Sequence, residues 1–182
     1  MKILETPLRD CFIVEPSVFK DARGYFLESF NQQKFQEETG LVVNFVQDNQ
    51  SVSQKGTLRG LHFQTGEAAQ AKLVRVILGE IQDVMVDLRP DSETYLQKFS
   101  CVLNSENQLQ LFVPKGFAHG FVCLTDEVIF SYKCDNYYDK AAEAGIIFND
   151  PQLHIDWKLP QEQLIISEKD KGLPTLKEYL NG

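Results

Sequence analysis

Short apolar runs alternate with clusters of turn-forming residues, and the runs recur at near-even spacing from residue 41 to residue 134. Residues 41–49 predict a strand, 51–56 a turn and 57–64 a second strand. Residues 72–78 and 81–88 follow, joined by a Gly79-Glu80 turn. After a turn at Pro90-Asp91-Ser92 come 99–103, a turn at 104–107, and then 109–113, 120–124 and 128–134. Short strands at this spacing predict an antiparallel sandwich or barrel rather than alternating strand and helix units. Upstream, residues 11–14 and 24–30 read as strands separated by Pro16 and a turn at 20–24. In the second of these Glu28 shares a face with Phe26 and Phe30, which predicts a strand lining a cavity. Asn31 caps a helix over 32–39 that Gly40 stops. Beyond Tyr138 the chain turns acidic and loop-rich, ending in one or two helical turns at 176–180. One domain is expected over residues 1–182, its N-terminal segment and acidic tail packing on a barrel.

Composition narrows the partners. At 182 residues, 43% hydrophobic and 24% charged, the chain can bury a sizeable core as a soluble globular protein. A net charge of -8 argues against nucleic acid or an anionic membrane as the partner, since both reward clustered Lys and Arg. Residues 1–10 hold no extended apolar stretch, and no run approaches the roughly 18 apolar residues of a membrane span. A cytoplasmic protein is expected. Cys11, Cys101, Cys123 and Cys134 lie far apart with no CxxC pair, which predicts reduced structural thiols rather than disulfides or a zinc site.

The chemistry concentrates in two stretches. Residues 57–64 set Arg59, His62 and Gln64 among Leu58, Leu61 and Phe63, and Lys72 opens the next apolar run. Polar groups buried without partners cost about 2 to 7 kcal/mol each, so a pocket is the better reading than a core histidine with surface cations. The second stretch, residues 114–121, uses a proline and glycines to deliver His119 into the start of a strand. Its PxGxxH spacing, after a glycine-spaced histidine strand, resembles the paired motifs of cupin barrels. That implies an all-β, cupin-like jelly roll (double-stranded β-helix) with short peripheral helices, and His62 and His119 on one wall. Metal-binding cupins carry an HxH pair whose second histidine is here Gln64. His62, His119 and Glu67 make a thin set beside the usual three ligands of good geometry, and neither metal nor cofactor is expected.

Without a metal, His62 can serve as a general base, with a carboxylate behind it to fix the tautomer. Asp83 is a candidate partner for a histidine and reads equally well as a hydrogen-bonded barrel aspartate. Tyr132 can donate a proton, or can be a barrel tyrosine with a satisfied hydroxyl. Lys72 can stabilise an oxyanion, and Arg23 and Arg59 suit a phosphate; taken singly, each also reads as a surface cation.

Several long motifs in order, residues 21–28, 47–49, 58–64, 72–76, 114–121, 132–138 and 167–170, closely resemble the dTDP-4-dehydrorhamnose 3,5-epimerase family. The resemblance covers most of the chain. It implies His62 as base paired with Asp170, Tyr132 as acid and Lys72 holding the C4 oxygen. It further implies that Arg23 and Arg59 bind the diphosphate, that Tyr138 stacks on thymine, and that Phe26, Glu28, Gln47, Asp48, Asn49, His119, Glu143 and Lys169 complete the substrate site. A homodimer exchanging its N-terminal segment is implied as well. The loop 65–71 departs slightly, with Ala71 where many relatives have glycine, but no proposed catalytic position is lost. Competing readings are a single-centre epimerase, a 3,4-ketoisomerase, against which Tyr132 argues, a non-catalytic sugar-binding cupin and a metal dioxygenase.

Overall fold

The computed structural model describes residues 1–181. The chain opens with β1 (Lys2–Glu5), β2 (Phe12–Glu15), the pair β3 (Val18–Asp21) and β4 (Gly24–Leu27), and α1 (Gln32–Thr39). The strands β5 (Gln47–Gln54), β6 (Thr57–Gln64), β7 (Lys72–Leu78), β8 (Glu80–Asp87) and β9 (Lys98–Asn104) follow. Then come β10 (Gln110–Val113), β11 (Phe117–Cys123), β12 (Glu127–Cys134), β13 (Glu143–Gly145), β14 (Ile165–Ile166), α2 (Glu168–Lys171) and α3 (Leu176–Asn181). One sheet runs β1-β2-β10-β7-β12-β5 and the other β13-β6-β11-β8-β9, with β14 laid parallel along β6. The two face each other as a cupin-like jelly roll.

Alternation explains the sandwich. Val74 and Val76 of β7, Ile81 and Met85 of β8, Leu111 of β10, Phe121 of β11 and Phe130 of β12 meet in one core between the sheets. Each such side chain contributes about 1.5 to 3 kcal/mol when removed from water. On the outer face of the first sheet, Leu73 and Phe112 are covered by Phe35 of α1, whose ring meets that of Phe112 edge-on at 5.2 Å. Asn31 caps α1 through its side chain and Gly40, at φ 72°, ends it as expected.

Several expectations change. The strand predicted over 41–49 begins only at Gln47, because Val43 and Phe45 pack beside Phe35 outside the sheet. The turn predicted over 51–56 is instead mostly strand: β5 runs to Gln54, in register with all of β12. Its sequence, QDNQSVSQ, is polar because its inner side borders a cavity rather than the core. The piece predicted over 24–30 also stops early, at Leu27, within a separate hairpin, so Glu28 leaves the strand. Glu28 accepts instead from Lys34 Nζ at 2.8 Å and Asn31 Nδ2 at 3.2 Å. Finally, β1 was not anticipated, and β11 starts at Phe117, so His119 lies inside the strand.

Candidate functional site

A cavity of about 620 Å³ opens between the sheets, with β6 and β11 on one side, β5, β7 and β12 on the other, and residues 165–170 along its edge. His62 and His119 stand opposite each other in the β6–β11 register, and directly opposed residues of an antiparallel pair share a face. The close approach of these strands requires glycine. Gly60 sits at φ +127°, and a Cβ there would lie 2.5 Å from the Cα of Gly120.

Each histidine has its own carboxylate. His62 Nε2 lies 2.8 Å from Asp170 Oδ1, and the Gly60 N–H donates to Asp170 Oδ2 at 3.2 Å. Ser167 caps the short α2 by accepting from the Asp170 N–H at 3.1 Å, which sets the carboxylate in place. Burial pushes the Asp170 pKa up, but hydrogen bonding from His62, the His62 charge, the Gly60 N–H and Ser167 outweigh it, and the net value falls below the usual carboxylate range. His119 is 7% exposed, and its Nε2 lies 2.6 Å from Oδ1 of the fully buried Asp83. Asp83 is therefore the partner of His119, while Asp170 partners His62.

The facing sheet supplies Lys72 and Tyr132. Burial lowers the Lys72 pKa against the opposing pull of Cys134, Asp83 and Glu143. Burial raises that of Tyr132, so its phenol holds its proton more tightly than in water. Arg59 also lines the cavity and donates from Nε and Nη2 to Ser53 Oγ at 3.3 and 3.2 Å. At the mouth, Glu143 accepts from Lys169 Nζ at 2.5 Å and from the Tyr138 hydroxyl at 3.0 Å. Gln47 Oε1 accepts from the Tyr138 N–H at 3.1 Å, and Gln47 Nε2 donates to Asn49 Oδ1 at 3.0 Å.

Of the residues singled out in sequence, Asn49, Arg59, His62, Lys72, His119, Tyr132, Lys169 and Asp170 line the cavity. Gln47, Tyr138 and Glu143 join it through the hydrogen bonds just given, and Asp83 stands behind His119. Asp48 points the other way, as period-two alternation dictates, and pairs with Lys133 Nζ at 2.8 Å. Arg23 and Phe26 sit on the exposed hairpin. Arg23 is 90% exposed and pairs with Asp21 of its own turn, and Phe26 is 67% exposed. Within one chain neither they nor Glu28 reach the cavity.

Gln64, at the position where metal cupins place histidine, holds a loop instead: its Nε2 donates to the Asp139 carbonyl at 2.9 Å and its Oε1 accepts from the Asp139 N–H at 2.8 Å. Glu67 is exposed in a 3-10 turn, and among the described residues no three His, Cys, Asp or Glu side chains are grouped to hold a metal ion. The four cysteines are free thiols, and burial raises that of Cys11 to about 12. Sequence reading missed Ser51, Phe130 and Ser167 in the lining. The first two follow from two-residue periodicity with Asn49 and Tyr132, and the third from its place as a cap three residues before Asp170.

Comparison with known proteins bears on the family and the fold. The profile described as dTDP-4-dehydrorhamnose 3,5-epimerase matches residues 5–178. A protein of that name from Methanothermobacter thermautotrophicus is 51% identical over 178 residues, covering 97% of this chain and 95% of its own. The crystal structure of the Elizabethkingia anophelis enzyme superposes with a TM-score of 0.95 at 54% identity, covering 98% of this chain and 97% of that one. A Legionella pneumophila dTDP-6-deoxy-D-glucose-3,5-epimerase, solved with dTDP-4-keto-L-rhamnose, superposes at 0.93 with 45% identity, covering 97% and 93%. With its profile matched almost end to end and its jelly roll shared, the chain belongs to the dTDP-4-dehydrorhamnose 3,5-epimerase family.

Proposed function

We propose that the chain converts dTDP-4-dehydro-6-deoxy-α-D-glucose to dTDP-4-dehydro-β-L-rhamnose, inverting C3 and C5 in the synthesis of dTDP-L-rhamnose. The observation that carries this reading is the carboxylate-backed His62 on one sheet, with Lys72 and Tyr132 on the sheet facing it. C3 and C5 both flank the C4 ketone, so loss of either proton leaves an enolate with charge on O4. Asp170 accepts from His62 Nε2–H, which leaves Nδ1 free to take the proton; the ionised carboxylate then stabilises the imidazolium that forms. Lys72 supplies the ammonium for O4, an interaction stronger in a dry site than in water. Tyr132 returns a proton from the other face, inverting the centre with no redox step. Arg59 and Lys169 are suited to the diphosphate, with Asn49, His119 and Glu143 on the sugar nucleotide and Tyr138 against thymine.

The hairpin fits a homodimer. Phe19, Tyr25 and Phe26 are 64%, 56% and 67% exposed, an apolar group of the kind that marks an interaction surface. In the exchanged arrangement, Arg23, Phe26 and Glu28 of one copy complete the nucleotide end of the other copy's cavity. No helix among the described residues is long and apolar enough to cross a membrane, and the reading places the reaction in the cytoplasm on a nucleotide sugar. The test is to incubate the purified protein with dTDP-4-dehydro-6-deoxy-α-D-glucose and determine the product's configuration by NMR. The L-sugar is expected. Inversion at one centre alone would replace this reading with a single-centre epimerase, and unchanged substrate would remove the catalytic reading.

A further inference from the structure

Two fully buried aspartates lie four residues apart on β8, and they are used differently. Asp87 has both carboxylate oxygens occupied: Oδ1 accepts from the Arg89 N–H and Nε at 3.0 and 2.9 Å, and Oδ2 from Arg89 Nη2 and Thr94 Oγ1 at 2.8 and 2.7 Å. That is a fold-stabilising arrangement, joining the strand to the loop that follows it. Asp83 has one partner, His119 Nε2, and its Oδ2 is buried with no hydrogen bond among the described residues. An unpaired buried polar atom costs about 1 to 3 kcal/mol, so folding alone gives a poor account of a carboxylate at this position.

His119 gives the reason. A carboxylate only accepts, so the Nε2 that faces Asp83 is the nitrogen carrying hydrogen in the neutral ring, and Nδ1 keeps its lone pair. Nδ1 has no partner among the described residues, and His119 lines the cavity. The arrangement repeats that of Asp170 and His62 on the neighbouring strand, where Nε2 is also the nitrogen turned to the carboxylate. His62, 30% exposed, is the more accessible of the two, while His119 lies deeper, its ring centroid 6.5 Å from that of Phe130.

We infer that Asp83 is a positioning residue for the epimerisation, holding His119 in the Nε2–H tautomer so that Nδ1 accepts a hydrogen bond from a hydroxyl of the bound sugar. The inference rests on the function proposed above. The chamber then offers the sugar two complementary groups: a donor at Lys72 for the oxygen that gains charge, and an acceptor at His119 for a hydroxyl that keeps its proton. A site built to accept from a hydroxyl loses that contact when its acceptor becomes a donor.

Asp83→Asn tests this. The amide can donate to Nε2, which moves the ring hydrogen to Nδ1 and presents the sugar with a donor. The ¹⁵N spectrum of His119, recorded without substrate, is expected to have its hydrogen on Nε2 in the wild type and on Nδ1 in Asp83→Asn. With dTDP-4-dehydro-6-deoxyglucose, kcat/KM is expected to fall about 10- to 100-fold, mainly through KM. His119→Ala is expected to lose a similar factor, and adding Asp83→Asn to it to cost nothing further. Asp87→Asn is the structural control, lowering Tm while leaving kcat/KM and the His119 tautomer unchanged. A wild-type ring with its hydrogen on Nδ1, an Asp83→Asn enzyme within twofold of wild-type kcat/KM, or additive losses in the double variant would overturn the inference. A wild type that does not turn over this substrate would instead overturn the function proposed above.

Discussion

Arg59, on β6, and Arg23, in the turn between β3 and β4, both lie in the N-terminal third of the chain, and the fold treats them oppositely. Arg59 reaches into the cavity and is held there by Ser53, whereas Arg23 stands 90% exposed at a hairpin tip, paired with Asp21 two residues away. The aromatics divide the same way: Tyr132 is half-buried against Phe130 at 5.7 Å, while Phe26 is 67% exposed. One region is preorganised by the chain's own core, with His62, Lys72 and Tyr132 fixed on strands and Asp170 on the short α2. The other is tied to the barrel by a few polar contacts, among them Gln108 Nε2 to the Tyr25 hydroxyl at 3.0 Å and Gln110 Nε2 to the Ser29 carbonyl at 2.7 Å. On the proposed function, the difference separates chemistry that one chain assembles from substrate contacts assigned to a second copy.

The largest effects belong to the chamber. His62→Ala is expected to lower kcat about 10⁴-fold with Tm little changed, checked by product formation alongside thermal melting; a loss under tenfold would remove His62 as base. Lys72→Met follows, with about 10²- to 10³-fold lost from kcat. The pH profile sharpens the point. Burial lowers the Lys72 pKa, and the ammonium is the active form, so the alkaline limb of kcat should lie below the ordinary lysine value. Tyr132, its pKa raised by burial, keeps its proton through that range. Lys72→Arg should therefore move the limb to higher pH, and an unmoved limb would assign it to another group.

Tyr132→Phe is expected to cost about 10²-fold in inverted product while substrate affinity, read by calorimetry with dTDP, stays within a few-fold. The hairpin gives the smallest effect. Arg23→Ala should raise KM about tenfold, the scale of one hydrogen bond to a charged group, and leave kcat near wild type. Mixing Arg23→Ala with His62→Ala under conditions of subunit exchange should restore one intact site per mixed dimer. Activity no higher than the sum of the separate variants would place Arg23 in its own chain's site and break the contrast between the regions.

Legibility in the sequence followed the environment of each strand. Residues 57–64 and 72–78 were read correctly because apolar positions dominate a strand that borders the core. The second half of β5, from Ser51 on, reads as a turn because Asn49 and Ser51 line a cavity, where polar side chains replace the apolar ones that signal a strand. The partner of Asp83 could not be chosen from sequence. In the β8–β11 register it lies opposite Phe121, with His119 diagonal to it, and only the pairing of strands distant in sequence makes them neighbours. Sequence pattern also carries no sign that Arg23, Phe26 and Glu28 stand away from the cavity of their own chain, since that depends on how the β3–β4 hairpin packs.

The most direct measurement is proton NMR of dTDP-4-dehydro-6-deoxyglucose incubated in D2O with EDTA, comparing wild type with His62→Ala. The account predicts solvent deuterium at both C3 and C5 with the wild type, accompanied by the L-sugar, and at neither carbon with the variant. Deuterium at a single carbon with the wild type, or wild-type-like incorporation in His62→Ala, would contradict it.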